Sequence, residues 1–195
     1  MPPPVAVPNL MVDPGFLWIS LITTPEPTHT AALGKFSDVV PVAYIPLGAT
    51  SEGSAFKYQT EVEPMSVAEF LDPIRYATTG RAGSVAFALA SVTLSNFRRA
   101  VNGGIAAILP TGTAGAEVTS FEPPDPGTEV RAQLLWESTD GTLRILYRQA
   151  LQGGEVAMDF KKAPDYAVIP CTFNLETPNG AAKPFKIITA GTTRV

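Results

Sequence analysis

One cysteine and one histidine are all that 195 residues offer of the side chains most often used to bind metals or attack substrates. Cys171 alone can close no internal disulfide. With His29 it falls short of the roughly four ligands a zinc site needs. A dyad of the two would require an accident of folding. Cys171 stands in the alternating set Ile169, Cys171, Phe173, Leu175 and reads as a small core residue. G-x-S-x-G is missing, and no S-x-x-K opens a helix, so no serine nucleophile is signalled. P-loops, G-x-G-x-x-G fingerprints and calcium loops are missing too. A carboxylate pair could come from Glu61, Glu63 or Glu69, but acids are commoner on a solvated strand face than in a hydrolytic pair. The expectation is a protein that is not an enzyme, with no cofactor and no metal.

Charge is also scarce. Only 16% of residues are charged, against roughly 25% in ordinary soluble domains. The net charge is −4, and no Lys/Arg block occurs. That argues against a firm grip on phosphates, though not against nucleic acid sliding past. Aromatics do not interleave with basic residues as a stacking platform requires. Arg98 and Arg99 fall at the end of a short predicted helix, where cations complement the dipole. Long apolar runs are lacking as well. GFLWISLI is far too short to span a bilayer and follows no cationic stretch, so the chain reads as a cytosolic product with no membrane partner. With so little charge, adhesive surface is left to be covered, and self-association is one way to cover it.

What the sequence has instead is proline, glycine and β-pattern. Five prolines precede Gly15, so residues 1–15 read as an extended arm and 16–195 as one β domain. Phe16 to Ile22 and Val42 to Leu47 read as strands, joined by a loop in which His29 is a solvated side chain. Ser54 to Glu63 alternates strictly. Phe56, Tyr58, Thr60 and Val62 face one way, and Lys57, Gln59, Glu61 and Glu63 form a wet face. Met65 to Asp72, bracketed by prolines, reads as extended loop or strand continuation. Ser84 to Val92 is an apolar strand. SNFRRAVNGG predicts a helix with Ser95 as N-cap and Gly103 as the C′ stop. The second half reads as a meander: Val130 to Ser138, Leu143 to Gln149, Glu155 to Lys161, Ala167 to Glu176 and Phe185 to Thr189. Asp140-Gly141 marks a hairpin. The fold class is mainly β, an antiparallel sandwich or barrel with one short flanking helix.

The order of features between Phe16 and Gly104 carries a resemblance. Leu47-Gly48-Ala49-Thr50-Ser51-Glu52-Gly53 leads into an aromatic strand. Acids, Val67-Ala68-Glu69 and Leu71-Asp72-Pro73 follow, then Val92-Thr93-Leu94-x-Asn96-Phe97 and Ala100-Val101-Asn102-Gly103-Gly104. This resembles the major tail tube protein of long, non-contractile-tailed bacteriophages, especially of actinobacterial hosts. Ser91 departs from the acid that relatives often carry there.

The resemblance implies a virion protein made in the host cytoplasm, with six copies per ring and rings stacked into a tube. Its partners would be itself, a tape-measure protein, a tail terminator, a distal tail protein and transiently passing DNA. Glu61, Glu63, Val67, Glu69, Phe70, Leu71 and Asp72 are the expected inter-ring loop. Lys57, Gln59, Glu61 and Glu63 are the expected lumen face. The competing expectations are another virion part (decoration protein, terminator, or tube of a contractile system), a carbohydrate-binding sandwich, and a carboxylate hydrolase. Trp18 and Trp136 sit in inward-type patterns, which argues against the second of these.

Overall fold

A computed structural model describes residues 15–65, 72–109, 118–158, 165–178 and 182–190. The proline-rich arm therefore lies outside the described residues, except for Gly15. That glycine takes φ 69° and lies directly against the Trp136 indole, where a side chain would collide.

The chain is mainly β. In order it forms β1 (Phe16–Leu21), β2 (Ala31–Ala32), β3 (Lys35–Phe36), β4 (Ile45–Pro46), β5 (Thr50–Met65) and β6 (Arg75–Leu89). Helix α1 (Leu94–Ala100) follows, then β7 (Ile105–Leu109), β8 (Val118–Glu122), β9 (Ala132–Glu137), β10 (Leu143–Gln152), β11 (Ile169–Leu175) and β12 (Phe185–Thr189). All pairings among the described residues are antiparallel. The main sheet runs β4-β1-β9-β10-β11-β6-β5, with β12 also on β10.

Strand β10 makes the sheet fold over on itself. Its first half pairs with β12 and its last residues with β11, and its register with β9 shifts between Tyr147 and Ala150. The inward residues of β1, β6, β9, β10 and β11 then meet in one core, including Leu17, Val85, Leu134, Tyr147 and Phe173. Leu134 is fully buried, and each such leucine contributes about 1.5–3 kcal/mol by leaving water. Cys171 belongs to this core, and burial pushes its thiol up to about 12. The strap after β4 stitches two sheet borders together: the Leu47 amide donates to Leu17, and the Ala90 amide donates to Ala49.

The segment between β1 and β4 covers the outer face of β9 and β10. Its anchor is Arg144, which is 1% exposed. Arg144 donates to Asp38 at 2.7 Å and to Glu137 at 2.5 Å, and its guanidinium lies 4.3 Å from the Phe36 ring. Removing one partner of such a buried pair costs about 3–5 kcal/mol, because the other charge is stranded. Tyr44, buried against Leu135 and Leu146, donates to Gln133 at 2.5 Å.

Several expectations are corrected here. The strand expected over Val42 to Leu47 shrinks to two residues, because a Pro41–Tyr44 turn occupies its first half. The helix N-cap is Thr93, not Ser95: its hydroxyl accepts from the Asn96 amide at 3.1 Å. The left-handed C′ residue is Asn102 at φ 60°, with Gly103 one step beyond. The Gly103 amide returns to Arg98 and the Asn102 amide to Arg99, closing a Schellman motif. Glu155 to Met158 forms no strand, and the rest of that expected element lies outside the described residues. The Gln152 side chain accepts the Thr172 amide instead, which uses a donor the ladder would need. The β2–β3 and β7–β8 hairpins are additions to the expected strands. His29 is not a solvated side chain. Both its ring nitrogens are buried without a hydrogen-bond partner among the described residues, and the ring meets Phe36 edge-on.

Candidate assembly surface

Strands β5 and β6 are the longest among the described residues, with 16 and 15 residues. The reason is compositional: Ser, Thr, Tyr, Val and alternating charged residues run on with no internal stop between Ser54 and Glu63. Only their inner half packs. Val85, Phe87 and Leu89 enter the core, and Phe56 meets Tyr147 and Phe185. Tyr58 still touches Phe185, and Gly83 lies beside Leu175, the last residue of β11. Past that level no described strand accompanies the pair. From Tyr58 to Met65 the hairpin runs on for about 23 Å, at roughly 3.3 Å per residue.

The predicted alternation holds in register. Lys57, Gln59, Glu61 and Glu63 lie opposite Ser84, Ala82, Gly80 and Ala77 on one face, and all four are exposed. A register shift after Glu61 sets Thr79 apart as an extra residue. The expectation of a single wet face is corrected, because no described residue covers the other face beyond Tyr58. Tyr58 is 43% exposed and Val62 is 53% exposed, although both belong to the predicted inward set. At the tip, Met65, Ile74 and Tyr76 are exposed too, and the Ile74 amide donates to Met65. Asp72 is exposed beside the tip. Val67, Glu69, Phe70 and Leu71 lie outside the described residues. The outer border of β5 ends the strand order and carries backbone groups with no described partner strand.

A second surface feature, which sequence reasoning missed, is a groove of about 460 Å³. Ile19, Val130 and Phe173 give it an apolar floor, and Arg98, Arg99 and Arg131 rim it. Arg131 is paired with Glu176 at 2.6 Å, and Arg99 donates to Asn96 at 2.9 Å. Arg98 is exposed and has no ion-pair partner among the described residues. The capped end of α1 fixes this rim. The Asn102 side chain donates to the Gln152 carbonyl and accepts its amide, and the Asn102 carbonyl accepts from Val130. Three segments far apart in sequence meet here, so no local pattern could disclose it.

Among the described residues no group of three or more His, Cys, Asp or Glu could hold a metal ion. No described helix is long and apolar enough to cross a membrane. Glu61 and Glu63 stand on an open strand rather than in a cleft. Trp136 is buried and Trp18 packs beside Tyr44, so neither offers an exposed binding ring. No protein-family model matches the chain, and neither does any curated protein.

Proposed function

We propose that this chain is a structural subunit whose work is assembly with copies of itself, as the tail tube of a long-tailed bacteriophage. One observation carries the reading: the outer half of the β5–β6 hairpin projects with both faces wet and both borders unpaired among the described residues. A two-stranded ribbon is marginal in water by itself, and an unpaired border invites another strand. Exposed Tyr58, Val62, Met65 and Tyr76 add apolar surface that only a partner would cover. Six copies closing into a ring would satisfy the lateral borders, and stacking of rings would continue along the axis.

In this reading Lys57, Gln59 and Glu61, the part of the expected lumen face nearer the body, line the channel and keep it from holding DNA. Negative-stain imaging of the purified chain tests the assembly. Long hollow tubes are expected. Closed single rings would indicate a terminator instead, and a monomer at all concentrations would refute the proposal.

A further inference from the structure

The exposed tip and the arginine-rimmed groove sit at opposite ends of the molecule. Strand β10 descends from Leu143 to Gln152, β11 climbs back beside it, and β6 descends beside β11. The β5–β6 hairpin therefore leaves the body in the Leu143 direction. The groove lies at the other end, where Leu21 pairs with Ala132, Ala132 pairs with Ala150, and Asn102 holds Gln152. No copy can reach its own groove with its own tip.

The two surfaces also match in chemistry. Among the described tip residues, Glu61, Glu63 and Asp72 outnumber Arg75, and Val62, Met65 and Ile74 are exposed apolar side chains. The groove offers the converse, an apolar floor under three arginines with one carboxylate already engaged. From this complementarity we infer that the occupant of the groove is the hairpin tip of a second copy, held by Glu63 and Asp72 against Arg98 and by Val62 on the floor. The inference rests on the self-assembly reading and gives its axial contact a receptor. Tip-into-groove contact is head-to-tail, so each docked copy presents a fresh tip at one end and a fresh groove at the other, and the contact repeats without closing.

A charge swap in the full-length chain tests it, read by sedimentation and by particle length in electron micrographs. Glu63→Lys with Asp72→Lys should shorten or abolish assemblies, as should Arg98→Glu. All these positions are exposed, so circular dichroism should show the fold unchanged. Mixing the two variants should restore assembly, as should one chain carrying all three substitutions. Raising salt should weaken wild-type docking as the charges are screened. If the wild-type chain assembles and the variants assemble equally well, the groove is not the receptor, while the tube reading survives. The groove is likewise excluded if each variant is impaired and neither combination recovers. A wild-type chain that stays monomeric overturns both.

Discussion

At the scale of single residues, the departures from expectation come from pairs far apart in sequence. Arg144 looks like an ordinary outward residue of a β-strand. Its partner Asp38 lies 106 positions away in a loop, and only the folded chain turns that loop into a cover. His29 is drawn under the same cover, with its ring against Phe36. Desolvation holds its pKa below the ordinary 6.5, and Arg144 and Lys186 add to this, while Asp38 and Glu26 oppose it.

The consequence has a definite sign. The unfolded chain takes up a proton at the ordinary histidine value, whereas the folded chain resists it. Stability is therefore full above pH 6.5 and is lost as pH falls through the lower folded value. The nearby carboxyls respond in a lower range. Glu26 is held low chiefly by its hydrogen bond from Arg148. At Asp38 burial pulls upward, but hydrogen bonds from Arg144 and the Thr30 amide outweigh it and hold that carboxyl low as well. Both add their loss only as pH falls below the ordinary carboxylate range. Protection of the Phe36 and Ser37 amides, taken relative to the intrinsic exchange rate at each pH, should fall between about pH 7 and about pH 5, a window that brackets the ordinary histidine value. A His29→Phe chain should show no such loss of protection. Equal pH dependence in both chains would show that His29 does not govern the loop.

At the scale of elements, legibility follows how local the cause is. Strand β12 is legible at its observed bounds, and β9–β10 is recognisable because Asp140-Gly141 marks the turn. There Gly141 takes φ 69° and Asp140 accepts from the Ser138 hydroxyl. The β7–β8 ribbon is invisible in the sequence, since a Gly/Thr/Pro-rich stretch separates two short strands with little alternation. The expected helix is present, but its cap lies two residues earlier, because Thr93 and Ser95 are equally plausible caps until the backbone shows which amide is unmet. Alternation in β5 assigns the faces correctly. It does not tell that β11 ends near Gly83 and leaves both faces wet beyond it.

That last feature makes the hairpin separable from the domain that carries it. Replacing residues 61–80 by Asn-Gly would leave Thr60 and Arg81 flanking a two-residue turn. Because the removed described residues bury little, unfolding free energy should change by less than about 1 kcal/mol, as for surface changes generally. Assembly should disappear. Denaturant titration and sedimentation check the two halves of this statement. A collapse of stability would mean that the hairpin belongs to the folding unit.

At the scale of the whole molecule, the sheet architecture is legible in the sequence, and the candidate assembly surfaces only half so. The acidic wet face is written in the period of β5, while the groove depends on Ile19, Arg98, Val130 and Phe173 meeting from separate elements. The proposed channel face can be tested at this scale as well. Phage assembled with Glu61→Lys tubes should eject DNA more slowly than wild type, and with a steeper dependence on salt, as phosphates meet the added cations. Unchanged ejection would place this face away from the channel.

The opposite placement of tip and groove has one more consequence. Any file of such subunits is polar: bare carboxylates crown one terminus, and vacant guanidinium-lined sockets mark the other. A factor meant to halt elongation would need to recognise only one of these chemistries, and an initiating platform only the other, so the two kinds of accessory protein should carry surface charge of opposite sign.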